Sequence, residues 1–253
     1  GIFLTNALTG WDFEGENPQL KNWPELEAER AGAGRVKQEK PILVILGNPP
    51  YNGFAGVSPE EEQGLLNPYK EGIKEWGITK NYLDDLYVRF FRIAERRIAE
   101  RTGKGVVSFI SNHSWISDPS FVVLRQHLLN SFDKFWIENL HGNRKISEYP
   151  PDRRTSETVF AMAGFSSGIQ QGVATSLWVK TGVKNKQAKV LFRDDLTAAK
   201  ASERRKNLLQ SLEVDNFDKL YALVRPSPQN KFSFRPENVA DDYSNLPLLS
   251  QLS

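Results

Sequence analysis

The sequence has 253 residues, no cysteine and one methionine, Met162. Without cysteine the chain forms neither disulfides nor thiolate zinc sites. Methylation at carbon 5 of cytosine is also excluded, because that reaction requires a cysteine nucleophile. The absence of cysteine fits a reducing bacterial cytoplasm, which is the expected location. Because the sequence does not begin with methionine, we expect a fragment or a processed piece of a longer protein.

Long apolar segments are also missing. None is longer than five residues, as at residues 42–46, whereas a membrane-spanning helix needs about 20, so we expect no membrane partner. Lys and Arg total 33 against 31 Asp and Glu, and this balance excludes no class of partner, since basic residues can lie on one face. The three histidines lie far apart in the sequence and predict no metal site.

The first half of the sequence predicts alternating strands and helices. Residues 2–8 and 41–46 are short aliphatic stretches, typical of central strands in a parallel sheet that are buried on both faces. Between them we expect a connection with at most one short helix, near residues 25–30. Residues 52–80 have the composition of a functional loop. Residues 83–101 predict an amphipathic helix, with Arg and Glu opposite an apolar stripe.

The second half predicts a further strand, a helix and then hairpins. Asp118-Pro119 is typical of a helix start, and that helix should continue to about residue 132. Strands are predicted at residues 105–110, 134–140, 158–163, 173–179 and 189–192, and a last helix at residues 196–212. The order predicts an α/β fold in which parallel strands are followed by antiparallel ones.

The segment with the clearest chemical meaning is Asn48-Pro49-Pro50-Tyr51, directly after the predicted strand at residues 41–46. Ligands of open α/β sheets bind beyond the carboxyl ends of the strands, so the sequence places this segment at a site. A rigid strand-end turn is the alternative explanation.

The exocyclic amine of adenine is a poor nucleophile, because its lone pair is delocalised into the ring. The side-chain carbonyl of Asn48 and the backbone carbonyl of Pro49 would accept hydrogen bonds from both amine hydrogens and favour a pyramidal nitrogen. The two prolines fix the backbone. Tyr51 offers an aromatic face to an extruded base, and such stacking contributes about 1–3 kcal/mol.

Asn48-Pro49-Pro50-Tyr51 resembles the catalytic motif of S-adenosylmethionine-dependent amino-methyltransferases that act on adenine in DNA. Three longer strings resemble the methyltransferase region of single-polypeptide Type I (Type ISP) restriction-modification enzymes: LYVRFFR (86–92), GVVSFISN (105–112) and WIENLHGNRK (136–145). The resemblance covers about residues 2–192. It implies a partial Rossmann-like methyltransferase sheet, S-adenosylmethionine as cofactor and double-stranded DNA as partner, with nuclease, helicase and target-recognition parts elsewhere in the same polypeptide.

The resemblance also implies roles for single residues. It places Asn48, Pro49, Pro50 and Tyr51 at the target amine and base. Asn6 occupies the position at which the family contacts the adenine of the cofactor, although a strand-end turn explains an asparagine there equally well.

Four further residues are candidates for substrate binding. Phe160 matches an aromatic residue that packs on the extruded base in related enzymes, although core packing is the ordinary role of an aromatic residue. Asn112 ends a strand beside the predicted site, where capping is the alternative. Arg153 and Arg154 lie in a loop that is suited to DNA phosphates but is explained equally well as solvated. Arg96-Arg97 and Arg204-Arg205-Lys206 are predicted to be solvated charges on helix faces.

One part of the family pattern is absent. The sequence has no strand followed by a Gly-rich turn, with an acidic residue on the next strand, to hold the methionine and ribose of the cofactor. Ala31-Gly32-Ala33-Gly34 follows no predicted strand. We therefore expect the cofactor-binding N-terminal half to be missing and the isolated chain to be inactive. Residues 1–195 are predicted to form the catalytic half of a methyltransferase domain, and residues 196–253 a helical and irregular linker toward a target-recognition domain.

The sequence therefore predicts part of a site-specific DNA methyltransferase that transfers a methyl group to N6 of a flipped adenine. Two alternatives remain open. An Asn-Pro-Pro-Tyr segment also suits a glutamine amide in a protein substrate. The chain could instead be a non-catalytic DNA-docking piece of a larger restriction enzyme.

Overall fold

A computed structural model describes residues 2–8, 23–51, 64–79, 82–144, 155–162, 169–183 and 187–236. Its centre is a six-stranded sheet with the strand order β1-β2-β4-β3-β5-β6. The strands are β1 (Val44–Gly47), β2 (Gly105–Asn112), β3 (Lys134–Asn139), β4 (Val173–Lys180), β5 (Lys189–Arg193) and β6 (Ala222–Val224).

Five α-helices lie within the described ranges: α1 (Pro24–Glu39), α2 (Asn67–Lys70), α3 (Leu86–Glu95), α4 (Val122–Ser131) and α5 (Ala201–Gln210). Helix α3 continues as a π-helical segment, Arg96–Thr102, which ends at Gly103 with a φ of 76°. None of the described helices is long and apolar enough to cross a membrane.

The sheet is mixed, as the sequence predicts. Strands β1 and β2 are parallel, as are β3 and β5. Strand β4 is antiparallel to both of its neighbours, β2 and β3, and β6 is antiparallel to β5. The prediction of an α/β fold with parallel and antiparallel strands is confirmed. The predicted strand at residues 158–163 is wrong, because residues 155–161 are irregular with a turn and Met162 forms only an isolated bridge.

The predicted strand at residues 2–8 is also wrong. This segment is irregular and ends in a turn, with Ile2 and Leu4 exposed. It lies along α1, where Lys37 Nζ donates to Thr5 Oγ1 at 2.9 Å. Helix α1 is far longer than predicted and includes the Ala-Gly-Ala-Gly segment. A side chain at Gly32 would overlap the ring of Phe3. Close packing against residues 2–8 therefore explains a glycine that usually disfavours helix.

Strand β1 lies at the edge of the described sheet, whereas the sequence predicts a central strand buried on both faces. Its only described partner is β2, with Val44 opposite Val106. Val44 is 56% exposed and Leu46 is 74% exposed. An aliphatic stretch shows that a strand suits an apolar environment but does not show which elements cover it.

The main core is aromatic and is centred on Trp178 of β4. Its ring centroid lies 4.7 Å from that of Phe91 on α3, in an edge-to-face arrangement. Four other aromatic rings surround it: Phe109, Trp115, Phe132 and Phe135. The apolar stripe of α3 therefore faces the sheet as its periodicity predicts.

The opposite face of α3 departs from the prediction, because its charged residues are buried too. The buried charged residues of this helix and of its π-helical extension are Arg89, Arg92, Glu95 and Arg97. Glu95 accepts hydrogen bonds from Tyr69 at 2.8 Å, Arg92 at 2.7 Å and Ser131 at 2.6 Å. A buried carboxylate requires such partners, and α2, which bears Tyr69, covers this face.

The predicted loop at residues 52–80 is thus packed structure over residues 64–79, where Leu66, Tyr69 and Ile73 are buried in the core. Arg97, predicted to be solvated, is buried and donates to the carbonyl of Lys40 at 3.0 Å. The polar composition of residues 52–80 indicated a connection between elements. The contact of Tyr69 with the buried carboxylate of Glu95 could not be predicted, because the two residues are 26 positions apart in the sequence.

The described part of the tail packs on the sheet. Strand β6, which the sequence did not predict, extends it beyond β5, and Phe234 is fully buried in the main core. Arg125 of α4 is fully buried and donates to the carbonyls of Trp115 and Lys231, both at 2.9 Å. That the chain leads on to a target-recognition domain stays a prediction.

Candidate active site

The Asn-Pro-Pro-Tyr segment extends from the carboxyl end of β1. Gly47, the last residue of the strand, lies so close to β2 that an added Cβ atom would be 3.0 Å from the Phe109 ring. Asn48 and Pro50 are exposed, and Pro49 is buried. The segment therefore leaves the sheet with the Asn48 side chain open to solvent.

The Tyr51 hydroxyl connects this segment to the neighbouring strand. It lies 2.8 Å from Asn48 Oδ1 and 3.1 Å from the carbonyl oxygen of Ile110 in β2. Both are acceptors, and the single hydroxyl proton serves one of them at a time. Burial raises the pKa of Tyr51 well above its usual range, so the hydroxyl is a donor at all physiological pH values. The Asn48 amide oxygen is thus oriented before any substrate arrives.

The Phe160 ring lies against the Tyr51 ring. Their centroids are 5.9 Å apart, with an angle of 35° between the ring planes. Phe160 also packs on a second, smaller apolar cluster formed by Leu140, Val159, Val173 and Leu196. The structure therefore shows the packing role and, in addition, brings Phe160 to the predicted catalytic segment. Its contact with an extruded base stays a prediction.

Two arginines of α5 hold the segment that presents Phe160. Arg204 is fully buried, so the prediction that it is solvated is wrong. It donates hydrogen bonds to the Ser156 hydroxyl and to the carbonyls of Glu157, Leu196 and Ala198. Arg205 donates through Nη1 to the carbonyls of Val159 and Ala161, at 2.6 and 2.9 Å. Lys206 is exposed, in agreement with the prediction.

A glycine after β3 allows close approach to the same segment. Gly142 has a φ of 83°, and a Cβ atom there would lie 2.7 Å from the carbonyl oxygen of Glu157. A larger residue would be strained in its backbone and would displace the segment.

The remaining predicted residues are less directly connected to Tyr51. Asn112 ends β2 and accepts from the Ser114 amide at 2.8 Å, which is turn chemistry, and it also donates to the distant Gln171 at 2.7 Å. Asn6 accepts from the Leu8 amide at 2.9 Å in an exposed turn. Their substrate and cofactor roles stay predictions. Arg153 and Arg154 lie outside the described residues.

Sequence reasoning missed a polar network at the carboxyl ends of β2 and β3. His113 Nδ1 lies 3.3 Å from Asn139 Oδ1, and Asn139 Nδ2 donates to Asp194 at 2.8 Å. Asp194 also contacts His141 at 3.2 Å and Arg235 at 3.1 Å. Burial alone would raise the pKa of Asp194, but hydrogen bonds from His141 and Asn139 and the charge of Arg235 outweigh it and lower the pKa to about 2.

This network joins the ends of three strands and borders a cavity of about 290 Å³. Asn and His residues at or shortly after the ends of predicted strands are the signal that could have identified it. Among the described residues, no three His, Asp or Glu side chains are arranged to hold a metal ion.

A family model described as the Eco57I restriction-modification methylase matches residues 12–145, just over half of the chain. A comparison with curated protein sequences found no match.

Three solved structures of DNA complexes share the fold. The ATP-dependent Type ISP restriction-modification enzyme LlaBIII bound to DNA is 21% identical, with a TM-score of 0.72, and the match covers 94% of this chain and 16% of that one. The DrdV–DNA complex is 24% identical, with a TM-score of 0.65 and coverages of 89% and 21%.

The third is a nuclease-deletion mutant of the Type ISP enzyme LlaGI in complex with a DNA substrate mimic. It is 23% identical, with a TM-score of 0.65 and coverages of 91% and 18%. The chain thus spans about a sixth to a fifth of the length of these three proteins.

Proposed function

The chain belongs to the Eco57I restriction-modification methylase family, and from that membership we propose that it forms the catalytic part of a DNA adenine N6-methyltransferase. The reaction would transfer a methyl group from S-adenosylmethionine to the exocyclic amine of an adenine that has been extruded from double-stranded DNA.

The observation that supports this proposal most directly is the arrangement of Asn48, Tyr51 and Phe160. Asn48 is an exposed residue at the carboxyl end of a strand, where α/β sheets bind ligands, and its amide oxygen is an acceptor. The Tyr51 hydroxyl contacts this oxygen, and the Tyr51 ring lies against that of Phe160. An acceptor next to an aromatic surface is what a planar base with an exocyclic amine requires.

The proposed role of Asn48, Tyr51 and Phe160 is to bind and orient the target base. The Tyr51 ring would stack on the extruded base and compensate part of the lost stacking, by about 1–3 kcal/mol. Asn48 would then accept a hydrogen bond from the amine. This bond would reduce the delocalisation of the nitrogen lone pair into the adenine ring. Such an interaction is strongest as the nitrogen becomes pyramidal, so it would favour the transition state over the ground state.

The described residues do not by themselves fit S-adenosylmethionine. The Gly32 and Gly34 pair lies inside α1 and not in a turn between strand and helix. The side chain of Asn6 already accepts a hydrogen bond within its own turn. We propose S-adenosylmethionine as the methyl donor on family membership alone, with its site formed largely by residues other than those described.

DNA is the proposed partner, because LlaBIII, LlaGI and DrdV were each solved as complexes with DNA or a DNA mimic. These chains are five to six times longer than the segment that matches. We propose that nuclease, helicase and target-recognition parts accompany this chain in one polypeptide of the bacterial cytoplasm. Arg153 and Arg154 are the residues of this chain that are proposed to contact DNA phosphates.

The experiment is to express the full-length polypeptide in a bacterial host without adenine methyltransferases of its own. Mass spectrometry of nucleosides from the host DNA should detect N6-methyladenine, and sequencing should place it at one recurrent sequence. An Asn48→Ala variant, expressed at the same level, should give far less. Methylated glutamine in host proteins, with unmodified DNA, would contradict the proposal and identify a protein substrate.

A further inference from the structure

The segment that bears Phe160 has little regular structure of its own. Residues 155–161 include no strand or helix, and only Met162 forms a bridge. An irregular segment of this kind has many accessible conformations, so a side chain on it is fixed only if other elements hold the backbone. The described contacts that fix it come mainly from α5.

Arg205 acts at the position of Phe160 itself. Its Nη1 atom donates to the carbonyls of Val159 and Ala161, the residues on either side of Phe160. One guanidinium nitrogen therefore fixes the peptide unit directly before Phe160 and the peptide unit that follows Ala161. Because a guanidinium is a cationic donor, both bonds are charge-assisted and stronger than neutral ones.

The same helix also contacts the apolar cluster beneath Phe160. Leu208, one turn after Arg204, packs on that cluster together with Phe160 and with Ile110, whose carbonyl lies near the Tyr51 hydroxyl. Helix α5 thus supports the Tyr51–Phe160 pair through both polar and apolar contacts.

We propose that Arg205 is a positioning residue that sets the Phe160 ring against the extruded base, so that α5 forms part of the base pocket. This inference rests on the proposed function. Loss of Arg205 would leave the chemistry at Asn48 intact but would weaken capture of the base after it has left the duplex.

The test compares two DNA substrates of the full-length enzyme, both containing the target sequence found by sequencing. In one, the target adenine pairs with thymine; in the other, it lies opposite an abasic site, so extrusion costs less. For Arg205→Ala, kcat at saturating DNA should fall roughly tenfold on the paired substrate, because a weaker stacking contact leaves a smaller fraction of the bound DNA with its base extruded. On the abasic substrate most of this loss should disappear. Lys206→Ala, an exposed neighbour on the same helix, is the matched control and should change neither value by more than about twofold.

Two further variants keep the proposal open to refutation if Arg205→Ala folds poorly. Arg205→Lys retains the charge but not the planar fork, and should give an intermediate loss on the paired substrate alone. In a Phe160→Ala background, Arg205→Lys should have no further effect on the ratio between the two substrates.

An equal loss on both substrates, or an additive effect in the Phe160→Ala background, would show that Arg205 supports folding only and would overturn this inference while the proposed function stands. If the wild-type enzyme methylates neither DNA, the proposed function fails and this inference fails with it.

Discussion

The Tyr51 hydroxyl lies 2.8 Å from the amide oxygen of Asn48, the atom proposed to accept a hydrogen bond from the target amine. The carbonyl of Ile110 offers the same hydroxyl a second acceptor at 3.1 Å. The hydroxyl can therefore release Asn48 when the amine arrives and turn to β2 without losing a partner. The Tyr51 hydroxyl thus orients the Asn48 oxygen in the free protein and would not obstruct it in the proposed complex with the target base.

The first prediction separates the ring of Tyr51 from its hydroxyl. Tyr51→Phe removes one neutral hydrogen bond, which typically contributes about 0.5–1.5 kcal/mol, so kcat/KM of the full-length enzyme should fall about three- to tenfold. Tyr51→Ala also removes the stacking surface and should lower it by roughly ten- to hundredfold more. Steady-state methylation assays with tritiated cofactor measure both. Equal losses would mean that the hydroxyl, and not the ring, is the important group.

The second prediction concerns Asn48. Asn48→Ala should lower kcat roughly 10²- to 10³-fold, the range found when one polar group of a transition-state site is removed. The Kd for DNA should change by less than about threefold, because the interaction develops mainly in the transition state. Asn48→Asp keeps an acceptor oxygen and should lose less. A large loss of DNA affinity in Asn48→Ala would instead assign Asn48 to substrate binding.

The third prediction is the pH dependence of stability at Asp194. The pKa in the folded protein is about 2, below the ordinary 3.8, so the stabilisation is complete above about pH 5 and is lost as the pH falls toward 2. A shift of this size corresponds to about 2.5 kcal/mol. Because the side chain is 38% exposed, solvent screening should reduce the contribution to about 1 kcal/mol.

Urea unfolding of wild type and Asp194→Asn between pH 7 and pH 2 measures this effect. The difference in free energy of unfolding should be about 1 kcal/mol near neutrality and should vanish near pH 2. Asp215→Asn, an exposed aspartate in the same tail, is the control and should show little difference. A constant difference across the range would contradict the network described around Asp194.

The fourth prediction concerns Arg204. Arg204→Met preserves much of the volume but leaves three backbone carbonyls without their guanidinium donor, and each such loss costs about 1–3 kcal/mol. The free energy of unfolding should fall by about 3–5 kcal/mol. Lys206→Met on the exposed face should change it by less than about 0.5 kcal/mol. Similar losses in both variants would show that the helix, and not the buried guanidinium, supports stability.

Local pattern was sufficient to predict much of the fold. The stripe of α3 and strands β2 to β5 follow from periodicity and turn residues, and the position of the Asn-Pro-Pro-Tyr segment directly after a strand was predicted as well. Residues 2–8 and β1 were misjudged because aliphatic sequence indicates only a preference for apolar surroundings. The cover that decides burial comes from other elements.

The supports of the site could not be predicted for a different reason. Arg205 and the carbonyl of Val159 are 46 positions apart in the sequence, and a charged pair of arginines on a helix usually faces water. Nothing in the sequence of residues 204–206 indicates that Arg204 is buried or that Arg205 donates hydrogen bonds to the irregular segment around Phe160. The same holds for Glu95, whose partners Tyr69 and Ser131 lie 26 and 36 positions away.

The exposed position of β1 has a practical consequence for handling the protein. Among the described residues, no strand pairs with the outer side of β1, and an unpaired strand edge with exposed aliphatic side chains pairs readily with other extended chains. Purified by itself, this polypeptide should therefore tend to oligomerise or precipitate through the outer edge of β1. Lysine substitutions at Val44 or Leu46 should keep it monomeric.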